Sequence, residues 1–358
     1  MAGRKMNVGT PFILDYDLPH FEETFQSWGE PPFRARQLWR GLYQSLWNDP
    51  DEFTDLPRSL RARLAENYSF SHIKPKATLE STDGETRKTL FVLLDGQSIE
   101  VVLMRYEQRL SLCISSQAGC AMGCVFCATG QMGFRRHLSS GEIVEQVLHY
   151  ARELGSQGRR VTNVVVMGMG EPFHNYTATM AAIDRLNHSE GLNLGARRFT
   201  ISTVGIVPLI DRFASERRQV NLAVSLHAVD DELRASMLPV NRKYPVDLLL
   251  AACQDYVEKT HRRITFEWAL IHNVNDTPEQ ARHLGQRLQV FRRAGSVLCH
   301  VNVIPLNPTH GYSGQATTRE RALVFKAELE KMGIPCTIRI RRGIDIHAGC
   351  GQLAIERR

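Results

Sequence analysis

From residue 110 onward, short β-branched runs alternate with amphipathic helical stretches, and this alternation restricts the fold more than any other feature of the chain. Apolar strand candidates occupy 110–115, 163–167, 199–203, 220–226, 263–270, 298–305 and 336–341. Helical stretches lie between them, among them 141–151, 278–291 and 319–332. The first of these opens on Ser139 and Glu142, the spacing of a capping box. Repeated strand–helix units imply an α/β fold with a parallel sheet and right-handed crossovers. Six or seven such units predict a full or partial barrel rather than an open sheet. Parallel α/β folds place chemistry just past the C-terminal ends of the strands, so function is to be sought there.

The 358 residues exceed what one core usually supports, so an appendage to the barrel is expected. The first 70 or so residues read as helical. In 33–47, Leu38, Trp39, Leu42, Tyr43, Leu46 and Trp47 recur at helical spacing with Arg34, Arg36 and Arg40 between them. A buried aromatic stripe and a nucleic-acid-facing helix both fit this pattern. Next, 89–94, the Asp95–Gly96 pair and 97–104 read as a β-hairpin. Alternation sets Ile99, Val101 and Leu103 on one face and Glu100, Val102 and Met104 on the other. Glu100 is thus a lone acid among apolar neighbours; a solvated structural role and a carboxylate held against a pocket both stand open.

The net charge of +6 permits a polyanionic partner without demanding one. No apolar run approaches the roughly 18–20 residues of a membrane span, and no secretory stretch opens the chain, so a cytoplasmic protein without membrane contact is expected. Eight cysteines in such a chain read as metal or redox thiols rather than a disulfide framework. Cys120, Cys124 and Cys127 form a C-x3-C-x2-C loop just past the first barrel strand. Three thiolates so close suggest a soft metal or an iron–sulfur cluster. A structural zinc would need a fourth ligand, normally from a second paired knuckle, and no second pair exists. Three ligands on a four-iron cluster leave one iron open. The second barrel strand ends in Met167-Gly168-Met169-Gly170-Glu171-Pro172, where glycines allow close backbone approach and a carboxylate could hold an ammonium.

These residues resemble the radical S-adenosylmethionine (SAM) superfamily. Its hallmark is this cysteine loop after the first strand of a partial (β/α)6 barrel, followed by a glycine-rich SAM-binding segment. The 111–120 segment around Cys113 and the 345–353 segment, Asp-Ile-His-Ala-Gly-Cys-Gly-Gln-Leu, are similar to one branch: the bacterial dual-specificity (23S ribosomal and transfer RNA) adenine-C2 methyltransferases. Ala-Gly before Cys350 departs from the more usual Ala-Ala. The resemblance implies an α/β partial barrel at 106–345, an N-terminal helical, RNA-binding domain at 1–72, a hairpin extension at 73–105 and a catalytic-cysteine segment at 346–358.

It also implies a radical methyl transfer. Adenine C2 is electron-poor and cannot attack a methyl sulfonium, whereas a carbon radical can add to it. By resemblance, Cys120, Cys124 and Cys127 hold a 4Fe–4S cluster, and two SAM molecules serve each turnover. Cys350 takes a methyl from the first. A 5′-deoxyadenosyl radical from the second activates that methyl, which adds to C2 as a protein–RNA cross-link. Glu100 accepts the C2 proton and Cys113 resolves the cross-link through a transient disulfide. SAM contacts carry over to Gly170, Glu171, Ser202, Ser225, Leu226, His227 and Asn307. Cys253, Cys299 and Cys336 match no motif.

Implied partners are 23S ribosomal RNA, transfer RNA and an electron donor of flavodoxin-like or similar kind; a monomer is expected. Arg34, Arg36 and Arg40, Arg135–Arg136 and Arg341–Arg342 are the expected RNA contacts. Rival readings are the antibiotic-resistance type of adenine-C8 methyltransferase, a non-catalytic iron–sulfur RNA-binding or redox protein, and a zinc-stabilised RNA-binding barrel.

Overall fold

The computed structural model describes residues 9–293 and 296–353. The outer parts of the expected first and last segments, 1–8 and 354–358, lie outside it. Ten strands form one sheet in chain order: β1 (Ile73–Glu80), β2 (Thr86–Leu93), β3 (Ser98–Tyr106), β4 (Arg109–Cys113), β5 (Asn163–Val166), β6 (Phe199–Thr203), β7 (Asn221–Ser225), β8 (Ile264–Leu270), β9 (Cys299–Pro305) and β10 (Cys336–Ile338). Every pairing from β4 to β10 is parallel. β1 to β4 are joined antiparallel. The sheet order ends at β10 without returning to β4, so the barrel is partial, as expected.

The parallel strands sit within two residues of where the apolar runs begin, because each carries apolar residues buried against the core. β10 is the exception at its far end: it stops at Ile338, and Ile340 stands 82% exposed. β1 escaped the hydrophobic pattern. Its sequence, Ile-Lys-Pro-Lys-Ala-Thr-Leu-Glu, is exposed after the first residue, and its lysines and proline suit an edge that must not pair further.

At the N-terminus, α1 (Leu18–Ser27), α2 (Phe33–Tyr43) and α3 (Arg58–Asn67) bury Leu38, Trp39, Leu42 and Tyr43 against the same continuous core as the barrel. α2 ends at Tyr43 rather than running to residue 47, since Leu46 takes a left-handed φ of +61° and Trp47 folds back to donate its N–H to Gly41 O. Its arginines are engaged: Arg40 with Glu190 at 2.8 Å, Arg36 with Glu22 at 3.5 Å, and Arg34 with Asp55 O. Arg36 and Arg40 remain more than half exposed, where such pairs are worth little. After the cysteine loop, α4 (Ser140–Gly155) starts in the expected capping box, with Ser139 and Glu142 each accepting the other's backbone N–H. Glu142 also takes both Arg136 guanidinium nitrogens, at 2.7 and 2.8 Å, and Arg136 reaches Asp95 in the hairpin turn. Arg136 therefore ties hairpin to helix, while Arg135 stays exposed. Among the described residues no helix is long and apolar enough to cross a membrane.

Candidate active site

The strand ends converge on two adjoining cavities. The smaller, about 180 Å³, is lined by Cys120, Cys124 and Cys127 and by Gly170, Glu171, Ser202, Ser225, His227 and Asn307. These are the three expected cluster ligands and all the expected SAM contacts but one. Leu226 does not line this cavity; its side chain is buried in the barrel core, and its carbonyl accepts from Arg234.

Local chemistry explains the rim. Gly170 has φ +101°, and a Cβ there would stand 2.5 Å from Gln117 Cβ, so no other residue fits without displacement. Gln117 in turn accepts the Glu171 N–H at 2.8 Å. Glu171 lies buried and receives the N–H groups of Phe173 (2.9 Å) and Val204 (2.8 Å), yet burial still pushes its carboxyl up to about 7. His227 has φ +60° and accepts the Ala269 N–H on Nδ1 at 2.9 Å, which leaves its proton on Nε2. Burial, with Arg234 nearby, depresses its pKa to about 3, so it is neutral.

Among the described residues no three His, Cys, Asp or Glu side chains converge as ligands of a single ion would. The loop thiols share one cavity instead, which suits a cluster whose irons each take one thiolate rather than a lone zinc. Burial pushes all three thiols up, first among the causes in each case, so holding three thiolates here requires a bound cation. The donor set thus fits the cluster.

The larger cavity, about 370 Å³, lies between β3, β4 and the C-terminal segment. Val102, Met104 and Tyr106 line it from β3, Cys113 from β4, and Arg339, Arg341, Arg342 and Cys350 from the chain end. Cys350, Asn307, Arg339 and Cys127 belong to the walls of both cavities. The Cys350 loop is docked there by its neighbours: Ala128 N–H donates to Gly351 O (2.8 Å), Thr129 to Leu353 O (2.6 Å), and Asn307 Nδ2 to Cys350 O (3.0 Å). All eight cysteines are free thiols. Burial first, and then the neighbouring Cys350, push the Cys113 thiol up to about 12.

Glu100 shares the face of Val102 and Met104, as the alternation predicted, but does not itself line the cavity. It is buried and paired with Lys88 Nζ at 3.1 Å.

Three charged residues at this site carried no sequence signal. Arg234, fully buried on α5 (Asp231–Met237), donates to the carbonyls of Val204, Ser225 and Leu226, fastening the ends of β6 and β7. Arg339 lines both cavities beside Cys350, which is the first cause of its raised pKa. Glu267 is buried in the small cavity, its Oε2 without a hydrogen-bond partner and 3.9 Å from Arg339. A lone Arg or Glu in an ordinary helix or strand gives no pattern to read; their roles appear only when distant segments meet. At the mouth of the large cavity, the guanidinium groups of Arg109 and Arg342 lie 4.2 and 4.5 Å from the Tyr106 ring centroid.

Residues 114–284 match the family model of the radical SAM superfamily, and residues 13–69 that of the ribosomal RNA large subunit methyltransferase N-terminal domain. The chain is 50% identical over 347 residues to the probable dual-specificity RNA methyltransferase RlmN of Chloroflexus aurantiacus, covering 96% of this chain and 92% of that protein. It is 49% identical over 348 residues to the dual-specificity RNA methyltransferase RlmN 1 of Myxococcus xanthus, covering 97% and 95%. The crystal structure of a radical SAM methyltransferase from Sphaerobacter thermophilus superposes with a TM-score of 0.92 at 49% identity, covering 97% of this chain and all of that one.

Proposed function

Since this chain belongs to the RlmN family of dual-specificity RNA methyltransferases within the radical SAM superfamily, we propose that it methylates C2 of an adenine in 23S ribosomal RNA and in transfer RNA. The enzyme class is an RNA methyltransferase working by radical chemistry with a 4Fe–4S cluster and SAM. The observation that carries the finer reading is the double membership of Cys350, which lines both the cavity of the cofactor residues and the cavity of Cys113. A methyl carrier must meet SAM on one side and the base on the other.

Cys120, Cys124 and Cys127 would hold the cluster. Gly170, Glu171, Ser202, Ser225, His227 and Asn307 would hold SAM, with the backbone of Leu226 fixing the turn between two of them. When bound, cluster and SAM supply a 5′-deoxyadenosyl radical. Cys350, as thiolate, takes a methyl from one SAM, releasing S-adenosylhomocysteine. Its S-methyl group would then give a hydrogen atom to that radical, leaving 5′-deoxyadenosine, and the methylene carbon would bond to C2. With the cluster, when bound, able to take back one electron from this adduct, Glu100 would take the C2 proton. Cys113 attacks the Cys350 sulfur, the carbon–sulfur bond breaks towards carbon, and protonation of that carbon completes the methyl group. The Cys113–Cys350 disulfide is reopened by an external thiol. A small flavodoxin-like protein would supply the electrons, and the enzyme would act as a cytoplasmic monomer. The N-terminal helical region, 1–72, and the basic mouth around Tyr106 would receive the RNA.

Anaerobically reconstituted enzyme, methyl-labelled SAM and reductant, incubated with protein-free ribosomal RNA or transfer RNA, should give 2-methyladenosine on digestion. S-Adenosylhomocysteine and 5′-deoxyadenosine should each form once per product. 8-Methyladenosine instead would turn the reading to the C8 enzymes, and no methylated nucleoside would turn it to a binding protein.

A further inference from the structure

Lys88 is an ammonium where an apolar side chain would ordinarily sit. β2 runs Thr-Arg-Lys-Thr-Leu-Phe-Val-Leu in the interior of the sheet, and Lys88 is 6% exposed. Register explains where it points. Lys88 pairs with Val102, and Val102 pairs with Cys113, so the three form one row across β2, β3 and β4 on the face of the large cavity. Glu100 lies two residues along β3 on that face, diagonal to Lys88, and is 4% exposed.

Lys88 Nζ stands 3.1 Å from Glu100 Oε1 and donates to the carbonyl of His347 at 3.2 Å. His347, with φ +51°, is three residues before Cys350 in a loop closed by the Ala348 N–H to Gly343 O bond at 2.8 Å. One ammonium therefore joins the carboxylate and the cysteine loop, while sitting in the row of Cys113. A buried ion pair is weak support for a fold, since apolar residues of similar volume often serve as well. Its value here lies in what the pair does to the carboxylate. A carboxyl buried without a cation takes up a proton, and a protonated carboxyl cannot act as a base.

We propose that Lys88 is a positioning residue for proton removal: it keeps Glu100 ionised inside the sheet and fixes it relative to the Cys350 loop. This rests on the function proposed above. In the step concerned, the adenine C2–H bond breaks, its electron pair stays with the ring, and the proton forms an O–H bond on Glu100. Lys88 keeps its charge throughout and neither donates nor takes a proton.

The test compares full-length, reconstituted Lys88→Met, Lys88→Gln, Lys88→Arg and Glu100→Gln enzymes with SAM, reductant and protein-free ribosomal RNA. The readouts are S-methylation of Cys350 by mass spectrometry, 5′-deoxyadenosine, the covalent protein–RNA adduct on denaturing gels, and 2-methyladenosine. Lys88→Met should methylate Cys350 and form deoxyadenosine as the parent enzyme does, yet accumulate adduct and lose product roughly 10- to 100-fold, near the lower range for removing a positioned base. Lys88→Gln, which can still donate to His347 O, should behave alike, and Lys88→Arg should restore most product. Unchanged product in Lys88→Met, full product in Lys88→Gln, or loss of Cys350 methylation in both would overturn the inference. If Glu100→Gln forms product without accumulating adduct, the functional reading fails, not the role of Lys88 within it.

Discussion

The two cavities share a wall but are built differently. The small one is assembled from residues at the ends of consecutive parallel strands, each spelled by a short local motif and pinned by backbone hydrogen bonds. The large one draws on the antiparallel extension, β4 and the far C-terminus, whose contributing residues lie up to the length of the barrel apart in sequence. The first is a rigid rim that tolerates little change in shape; the second is a closure whose parts must find one another. A site that generates a radical benefits from the former, and a site that must admit a large substrate and then resolve a covalent bond benefits from the latter.

The sharpest way to separate the two is to remove one cysteine from each. Cys124→Ser should abolish the broad absorption near 400 nm, iron content and 5′-deoxyadenosine formation together. Cys350→Ala should keep the iron and its colour, and yield no 2-methyladenosine and no covalent adduct. Both are complete losses of product, but only the first is a loss of cluster. A colourless parent protein carrying stoichiometric zinc would end the comparison and the assignment.

Next in size is a steric test of the rigid rim. Gly170→Ala sets a methyl group 2.5 Å from Gln117 Cβ at φ +101°, so Gln117 and the Glu171 N–H it receives must shift. We expect SAM affinity to fall more than tenfold and stability to drop by about 1–3 kcal/mol. Thermal unfolding and SAM titration read the two effects. At Gly351, φ +80° but with nothing nearer than 3.6 Å to an added Cβ, the same change should cost less, because the C-terminal closure has room. Equal losses at both positions would contradict the contrast between the cavities.

What could be read from the sequence follows the same division. The cysteine loop and the Met167–Gly170 turn are local, and an apolar run announces where a strand's C-terminal end must lie; Ser202, Ser225 and His227, assigned by resemblance, fall at such ends. Glu100 was placed on the right face by alternation, but not its partner, because a lysine early in a hairpin strand carries no mark of burial. Arg234, Arg339 and Glu267 were illegible for the same reason: their neighbours come from other β-α units. β1 was missed since an edge strand protected by lysine and proline has no apolar period. Leu226 lies within a legible motif but turns into the core, since adjacent strand residues face opposite sides.

A smaller effect should appear in pH dependence. Burial raises the Glu171 carboxyl from 4.5 to about 7, so the folded state binds more protons than the unfolded one between those values. Stability from this group is full below pH 4.5 and is lost as pH rises towards about 7. Glu145 on α4, also buried and pushed to about 7, contributes in the same window. Glu171→Gln and Glu145→Gln should therefore each flatten this part of the profile, with buried Glu267, also raised, contributing besides. Of the two, Glu171 belongs to the cofactor rim, so SAM should reduce the pH slope more in Glu145→Gln than in the double variant. Denaturant unfolding across pH 4 to 8, with and without SAM, decides this.

The smallest expected effect concerns the mouth of the large cavity. Arg342 is held by Glu85 at 2.8 Å and lies against Tyr106, whereas Arg341 beside it is exposed. If the RNA backbone crosses this mouth, Arg341→Glu should weaken RNA binding a few-fold and lower the slope of log affinity against log salt by about one for each phosphate left unneutralised. Arg342→Glu should do the same and also lower stability, since it breaks the tie between the chain end and the β1–β2 turn. Arg136→Glu is the control that gives this meaning. Its guanidinium is already taken by Glu142 and Asp95, so reversal there should destabilise the junction of hairpin and helix while leaving the salt slope unchanged. A changed slope for Arg136→Glu with none for Arg341→Glu would move the RNA path away from the Cys350 cavity to the rim beside the cysteine loop.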